Sequence, residues 1–142
     1  MELNYLELPY KKNLHILLLL KNSTWIIDIG ASSHMISDSN KLTCHKPLSH
    51  SAIRTANGSI SPVTGEGSII LTDTITLDTL LIVPSLAYNL LSVSQITVTL
   101  KCTVTFWPQF CVFQNILARK ILGYSVIQGN LYYLELTEKG GQ

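Results

Sequence analysis

The chain has few charges, an odd handful of cysteines and no apolar run long enough to cross a bilayer, and each shortage removes a class of function. Only 13% of its 142 residues are charged and the formal net charge is +1. The ten basic residues are scattered rather than gathered into the stripe that grips a phosphate backbone, so direct nucleic-acid binding is not expected. Cys44, Cys102 and Cys111 cannot all pair, and no signal peptide precedes them, which favours a reducing intracellular setting, the cytoplasm, over a disulfide framework. Cys44-His45 with His34 and His50 supplies ligand types but no Cys-x-x-Cys or His-x-x-x-His spacing. Solvated loop residues are therefore expected there, and no metal. Leu14 to Leu20 is apolar apart from His15, yet far short of the ~20 residues a membrane helix needs, so no membrane partner is expected. Thr64-Gly65-Glu66-Gly67-Ser68 is rich in glycine but lacks the lysine and following hydroxyl of a phosphate loop.

What is present suits one modest domain, since 46% of the residues are hydrophobic. Residues 1–22 form a segment of unknown role in which Pro9 breaks a weak apolar pattern. From Ser23 onward Thr, Ile and Val recur in short runs with frequent turn signals, which predicts an all-β barrel or sandwich. Asn57-Gly58 lies between the extended runs 52–56 and 59–63 and predicts a hairpin, because a type I′ turn needs positive φ at both central residues. Gly65 and Gly67 suggest a bulge or bend. Thr74-Ile75-Thr76-Leu77 alternates, and Leu80-Leu81-Ile82-Val83 is apolar until Pro84 ends it. Residues 89–96 read as a short helix with Asn89 as N-cap and Leu90, Val93 and Ile96 on one side, followed by a strand at 102–106.

The most informative stretch is Trp25-Ile26-Ile27-Asp28-Ile29-Gly30-Ala31-Ser32-Ser33-His34. Its first three residues read as a buried strand that delivers a carboxylate at its end. A carboxylate set against apolar neighbours must be paired, hydrogen-bonded or chemically used. The small residues that follow would let backbone N–H groups approach Asp28, with hydroxyl donors from Ser32 and Ser33. An ordinary turn-forming aspartate is the alternative. Asp73 and Asp78 lack such a small-residue turn, being followed by Thr and then a large apolar residue.

Strand-Asp-(Thr/Ser)-Gly-Ala-(Ser) is how retroviral and retroelement aspartic proteases present their catalytic carboxylate, and residues 25–35 closely resemble the copia-type retrotransposon version. Ala56-Asn57-Gly58-Ser59 resembles that family's flap hairpin, and Asn89-Leu90-Leu91 through Ile96 with Cys102-Thr103-Val104 resembles the end of its fold. Gly129-Asn130-Leu131-Tyr132-Tyr133-Leu134 resembles the β segment leading to the pre-integrase region of copia-type Pol polyproteins. The resemblance implies a retropepsin-like closed β-barrel over residues 23–107, with a flap hairpin and one short helix near 89–96. Residues 108–142 would form a C-terminal β segment beyond it. It also implies peptide-bond hydrolysis of a polyprotein substrate, by water activated between the Asp28 carboxylates of a homodimer, without cofactor. Asp28 would be catalytic, Ile29, Gly30, Ala31 and Ser32 would form the active-site turn, and 56–59 the flap. The sequence contains no zinc knuckle, integrase or reverse transcriptase, as expected of an excised domain or the remnant of a truncated element.

One residue departs from that pattern. Ile29 stands where Thr or Ser is expected, keeping the β-branch while deleting a hydroxyl that braces the two active-site loops across the dimer. Unsatisfied partners would cost on the order of 1–3 kcal/mol per buried group. The fold is expected to survive while dimerisation and activity fail. A noncatalytic β-barrel interaction module is the rival reading. Ser32 or Ser33 acting with His34 is disfavoured, because adjacent residues rarely align as nucleophile and base and the second glycine of a nucleophile elbow is missing.

Overall fold

A computed structural model of the chain describes residues 25–55, 58–129 and 131–134. The segment 1–22, with its Leu14 to Leu20 run, lies outside the described residues, as do Ala56 and Asn57. The elements are strands β1 (Trp25–Asp28), β2 (His34–Ile36), β3 (Cys44–Arg54), β4 (Ile60–Ile70), β5 (Thr76–Ile82) and β6 (Asn89–Ser92), helix α1 (Val93–Thr99), then β7 (Cys102–Phe106), β8 (Phe110–Asn115), β9 (Ile121–Gln128) and β10 (Leu131–Leu134). Among the described residues the protein is all-β with one short α-helix and a 3-10 turn at Ser39–Lys41. The strands join one sheet in the order β3-β4-β5-β2-β6-β1-β10-β9-β8-β7.

Two interlocked crossovers set the centre of this sheet. β1 and β2 are consecutive in the chain but are separated by β6, which runs parallel to β1 (Asp28 opposite Ser92) and antiparallel to β2 (Met35 opposite Leu90). β5 in turn pairs in parallel with β2, His34 lying opposite Leu80. The link from β1 to β2, residues 29–33, must therefore pass over the end of β6, where α1 begins. That topology alone brings Asp28, Ser92 and the start of the helix together. β1 has a neighbour on each side, so its Trp25, Ile26 and Ile27 are all buried, as a continuous apolar run in a central strand requires.

The main core gathers Trp25 and Ile27 from β1, Ile36 from β2, Leu77 and Leu80 from β5, Ile96 from α1, Phe113 from β8 and Leu134 from β10. Contacts between strands so distant in sheet order require the sheet to curl around its core. Thr74 Oγ1 donates to Leu122 O at 2.6 Å across the same curl. The hydrogen-bonded ladder nevertheless begins at β3 and ends at β7, so the expected closed barrel is an open, curled sheet. The β3 edge carries features that stop further pairing: Pro47, a register shift between Pro47 and Ser51, and His50 at φ 59°.

Two local expectations are corrected. Residues 89–92 are strand, not helix, and the helix starts at Val93. Asn89 caps nothing: its side-chain oxygen accepts the Ser37 N–H at 3.2 Å, while Ser92 is the N-cap, accepting Gln95 N–H at 3.1 Å. Parallel pairing with β1 wins over helical periodicity because four backbone pairs and three buried side chains, Asn89, Leu91 and Ser92, commit 89–92 to the sheet. The hairpin exists, with Arg54 opposite Ile60, but its connection is longer than a two-residue turn. Thr55 N–H donates to Ser59 O and Gly58 N–H to Thr55 O, closing a three-residue loop in which Gly58, at φ 89°, supplies the left-handed residue. The expected bulge is present, as a register shift between Gly67 and Ile69.

Candidate functional site

Asp28 ends β1 half-buried, and its Oδ1 accepts the N–H of Gly30 at 2.8 Å. The small-residue turn thus begins as the sequence predicts, with the carboxylate satisfied locally. Ser32 is exposed and Ser33 half-buried, and Ile29 projects outward with 69% of its surface exposed. Among the described residues glycine at position 30 answers no steric demand, since a Cβ there would meet Asp28 Oδ1 at an ordinary 3.5 Å.

The far side of the turn is held by residues that sequence reasoning did not select. Ser92, fully buried at the end of β6, donates its hydroxyl to Ala31 O at 2.6 Å while the same oxygen caps α1. Ser92 N–H donates to His34 Nδ1 at 2.9 Å. His34 N–H donates to Gln95 Oε1 at 3.0 Å, and Gln95 Nε2 donates to Thr79 O at 2.7 Å, so one helix side chain ties β2 to β5. His34 is 1% exposed, and burial pushes its pKa down from 6.5 to about 4. A neutral imidazole follows, and because Nδ1 accepts, the proton sits on Nε2. The helical pattern of 89–96 masks Ser92, and His34, expected with Cys44, His45 and His50 to be a solvated loop residue, is instead buried at the start of β2, while the other three lie in strand β3.

Other named residues belong to other elements. Gly58 and Ser59 cap the far end of the β3–β4 ribbon. The register carries Ile26 through Leu90, Met35 and Leu81 to Glu66. Along that row Asp28 lies two residues toward one end and Ile60 six residues toward the other. Asp73 and Asp78 are exposed and outside the turn. A cleft of about 250 Å³ beside β3 is lined by Cys44, His45, Lys46, Glu66 and Asp78, and Lys46 pairs with Glu66 at 3.2 Å. Among the described residues no group of three or more His, Cys, Asp or Glu could hold a metal. No described helix is long and apolar enough to cross a membrane.

Residues 25–100 match the family described as Pol polyprotein, beta-barrel domain, more than half of the chain. The chain belongs to this family. It is similar to two proteins of Arabidopsis thaliana. The retrovirus-related Pol polyprotein from transposon RE2 is 34% identical over 90 residues, and that from transposon RE1 is 32% identical over 91. Each similarity covers 61% of this chain and 6% of the relative's length. In this Pol polyprotein beta-barrel domain the family match begins at β1 and ends just after α1. It therefore contains the Asp28 turn, the β3–β4 hairpin and the His34–Ser92–Gln95 network. β7 to β10 lie beyond it yet complete the same sheet, with Tyr133 of β10 opposite Ile26 of β1.

Proposed function

We propose that the domain follows an aspartic endopeptidase plan in which two copies face their Asp28 turns, and that Ile29 holds it below catalytic competence. One carboxylate of such a pair accepts a proton from the attacking water while the other, protonated, polarises the peptide carbonyl. The Asp28 turn supplies one carboxylate per chain, so two-fold symmetry is the simplest source of the second acid. The observation that carries this reading is the seating of Asp28 at the end of a buried central strand, in a turn held both at Gly30 and at Ala31. Ile29 removes the hydroxyl that would bridge facing turns and presents an apolar side chain instead.

Restoring that hydroxyl tests the plan. Ile29→Ser is expected to shift the monomer–dimer equilibrium toward dimer by ~1–3 kcal/mol, about 5- to 150-fold, and to bring peptide cleavage with it. Cleavage should peak at mildly acidic pH, where coupled carboxylates share one proton, and vanish when Asp28→Asn is added. Sedimentation and cleavage measured against pH decide together. If Ile29→Ser changes neither association nor cleavage while the fold persists, the protease reading fails. The second reading, a noncatalytic β-sheet interaction module of the polyprotein, then stands, and the exposed Ile29 favours it as an apolar contact.

A further inference from the structure

β2 and β6 share one register pair, Met35 opposite Leu90, and part beyond it as the chain turns over Ser92. The N–H of this fully buried serine is then without a ladder acceptor from β2, and an unmet buried donor costs about 1–3 kcal/mol. The imidazole of His34 fills that gap, its Nδ1 lying 2.9 Å from Ser92 N. His34 shares the sheet face of Ile36, a core residue, because side chains two apart on a strand point the same way. An apolar side chain would suit that face better. The imidazole instead leaves its own Nε2 buried and without an acceptor among the described residues. A residue that carries such a penalty on a core face must return it elsewhere, and the Ser92 N–H is where it does so.

The chain of contacts then runs to the turn. With its backbone held by His34, Ser92 aims its hydroxyl at Ala31 O, 2.6 Å away, while Gln95 N–H donates to the Ser92 Oγ from the helix side. One residue before Ala31, Gly30 N–H meets the Asp28 carboxylate at 2.8 Å. We propose that His34 and Ser92 are positioning residues for the Asp28 turn: Nδ1 of His34 sets the Ser92 backbone, the Ser92 hydroxyl sets Ala31, and the carboxylate is thereby held in one orientation. The effect on cleavage rests on the aspartic endopeptidase reading, whereas the lock on the turn does not.

The test compares His34→Leu, which fills similar space without an acceptor, with His34→Asn, whose side-chain oxygen stands the same number of bonds from Cα as Nδ1. Nuclear magnetic resonance of the full chain reads both. In the wild type the imidazole should show an unprotonated Nδ1 and a protonated Nε2. His34→Leu should speed Ser92 amide exchange about tenfold, the worth of one lost hydrogen bond, and shift and broaden the amides of residues 29–33. His34→Asn should return both toward wild type. Should His34→Leu fail to fold, Ser92→Ala serves in its place. It keeps the N–H on His34, so the tautomer should persist while residues 29–33 lose order. A protonated Nδ1, wild-type turn signals in His34→Leu, or wild-type turn signals in Ser92→Ala would each overturn the proposal. In the Ile29→Ser background, His34→Leu should lower kcat at unchanged KM and His34→Asn should recover most of it. If Ile29→Ser cleaves nothing, the catalytic reading falls and the resonance experiment alone decides the lock.

Discussion

Acid should unfold this domain through His34, and the size of the effect follows from the imidazole's burial. With its pKa lowered from 6.5 to about 4 in the folded state, His34 stays neutral while the unfolded chain takes up a proton below pH 6.5. The unfolded state then binds more protons, so stability falls as pH falls, and the loss is complete once the pH is below the folded-state value. At about 1.4 kcal/mol per pH unit the whole effect is about 3 kcal/mol, with about 2 kcal/mol gone by pH 5 and essentially none lost above pH 7. That is a large share of the ~5–15 kcal/mol a domain has in total. Urea unfolding at a series of pH values, at one protein concentration, measures it, and the same series on His34→Asn removes the contribution of every other group. The stability of the wild type relative to His34→Asn should fall by about 3 kcal/mol between pH 7 and pH 4, whatever the difference at pH 7. A gap that does not change with pH, or an imidazole titrating near 6.5, would refute the reasoning.

Further outcomes follow from packing and exposure. Gly67→Ala should destabilise the fold by about 1–3 kcal/mol, seen as a lower urea midpoint, because a Cβ there runs into the Cys44 carbonyl and the side chains of His45 and Leu42. Gly58→Ala meets nothing within 4 Å, and its loss of about 1 kcal/mol comes from the positive φ alone. In native protein a thiol reagent should label Cys44, which is exposed, long before Cys102 and Cys111, whose thiols burial pushes up, that of Cys111 to about 11. Labelling of Cys111 at the rate of Cys44 would contradict the packing of β8.

Much of the fold was legible because its signals are local. Trp25-Ile26-Ile27 announces a buried strand, Pro84 ends the apolar run of β5, and Asn57-Gly58 marks a chain reversal even though the connection proved to be three residues long. The Gly30 contact of the Asp28 turn was legible for the same reason, since the one donor seen on the carboxylate lies two positions away in the chain, whereas the hydroxyl donors expected from Ser32 and Ser33 are not seen among its contacts. What stayed hidden depends on pairing between distant segments. Nothing within Asn89-Leu90-Leu91-Ser92 says that it slots between β1 and β2, yet that insertion converts a good helical pattern into a strand. The same insertion makes Ser92 both the helix cap and the support of Ala31, and it explains a histidine on a core face. Closure of the barrel was equally non-local: it depends on whether β3 and β7 meet, and Pro47 and the left-handed His50 keep one of those edges from pairing. The crossover therefore gives the Asp28 turn its order. The five residues from Ile29 to Ser33 are short, small or exposed and have little to hold them by themselves, so the turn is as well formed as the strand end beneath it.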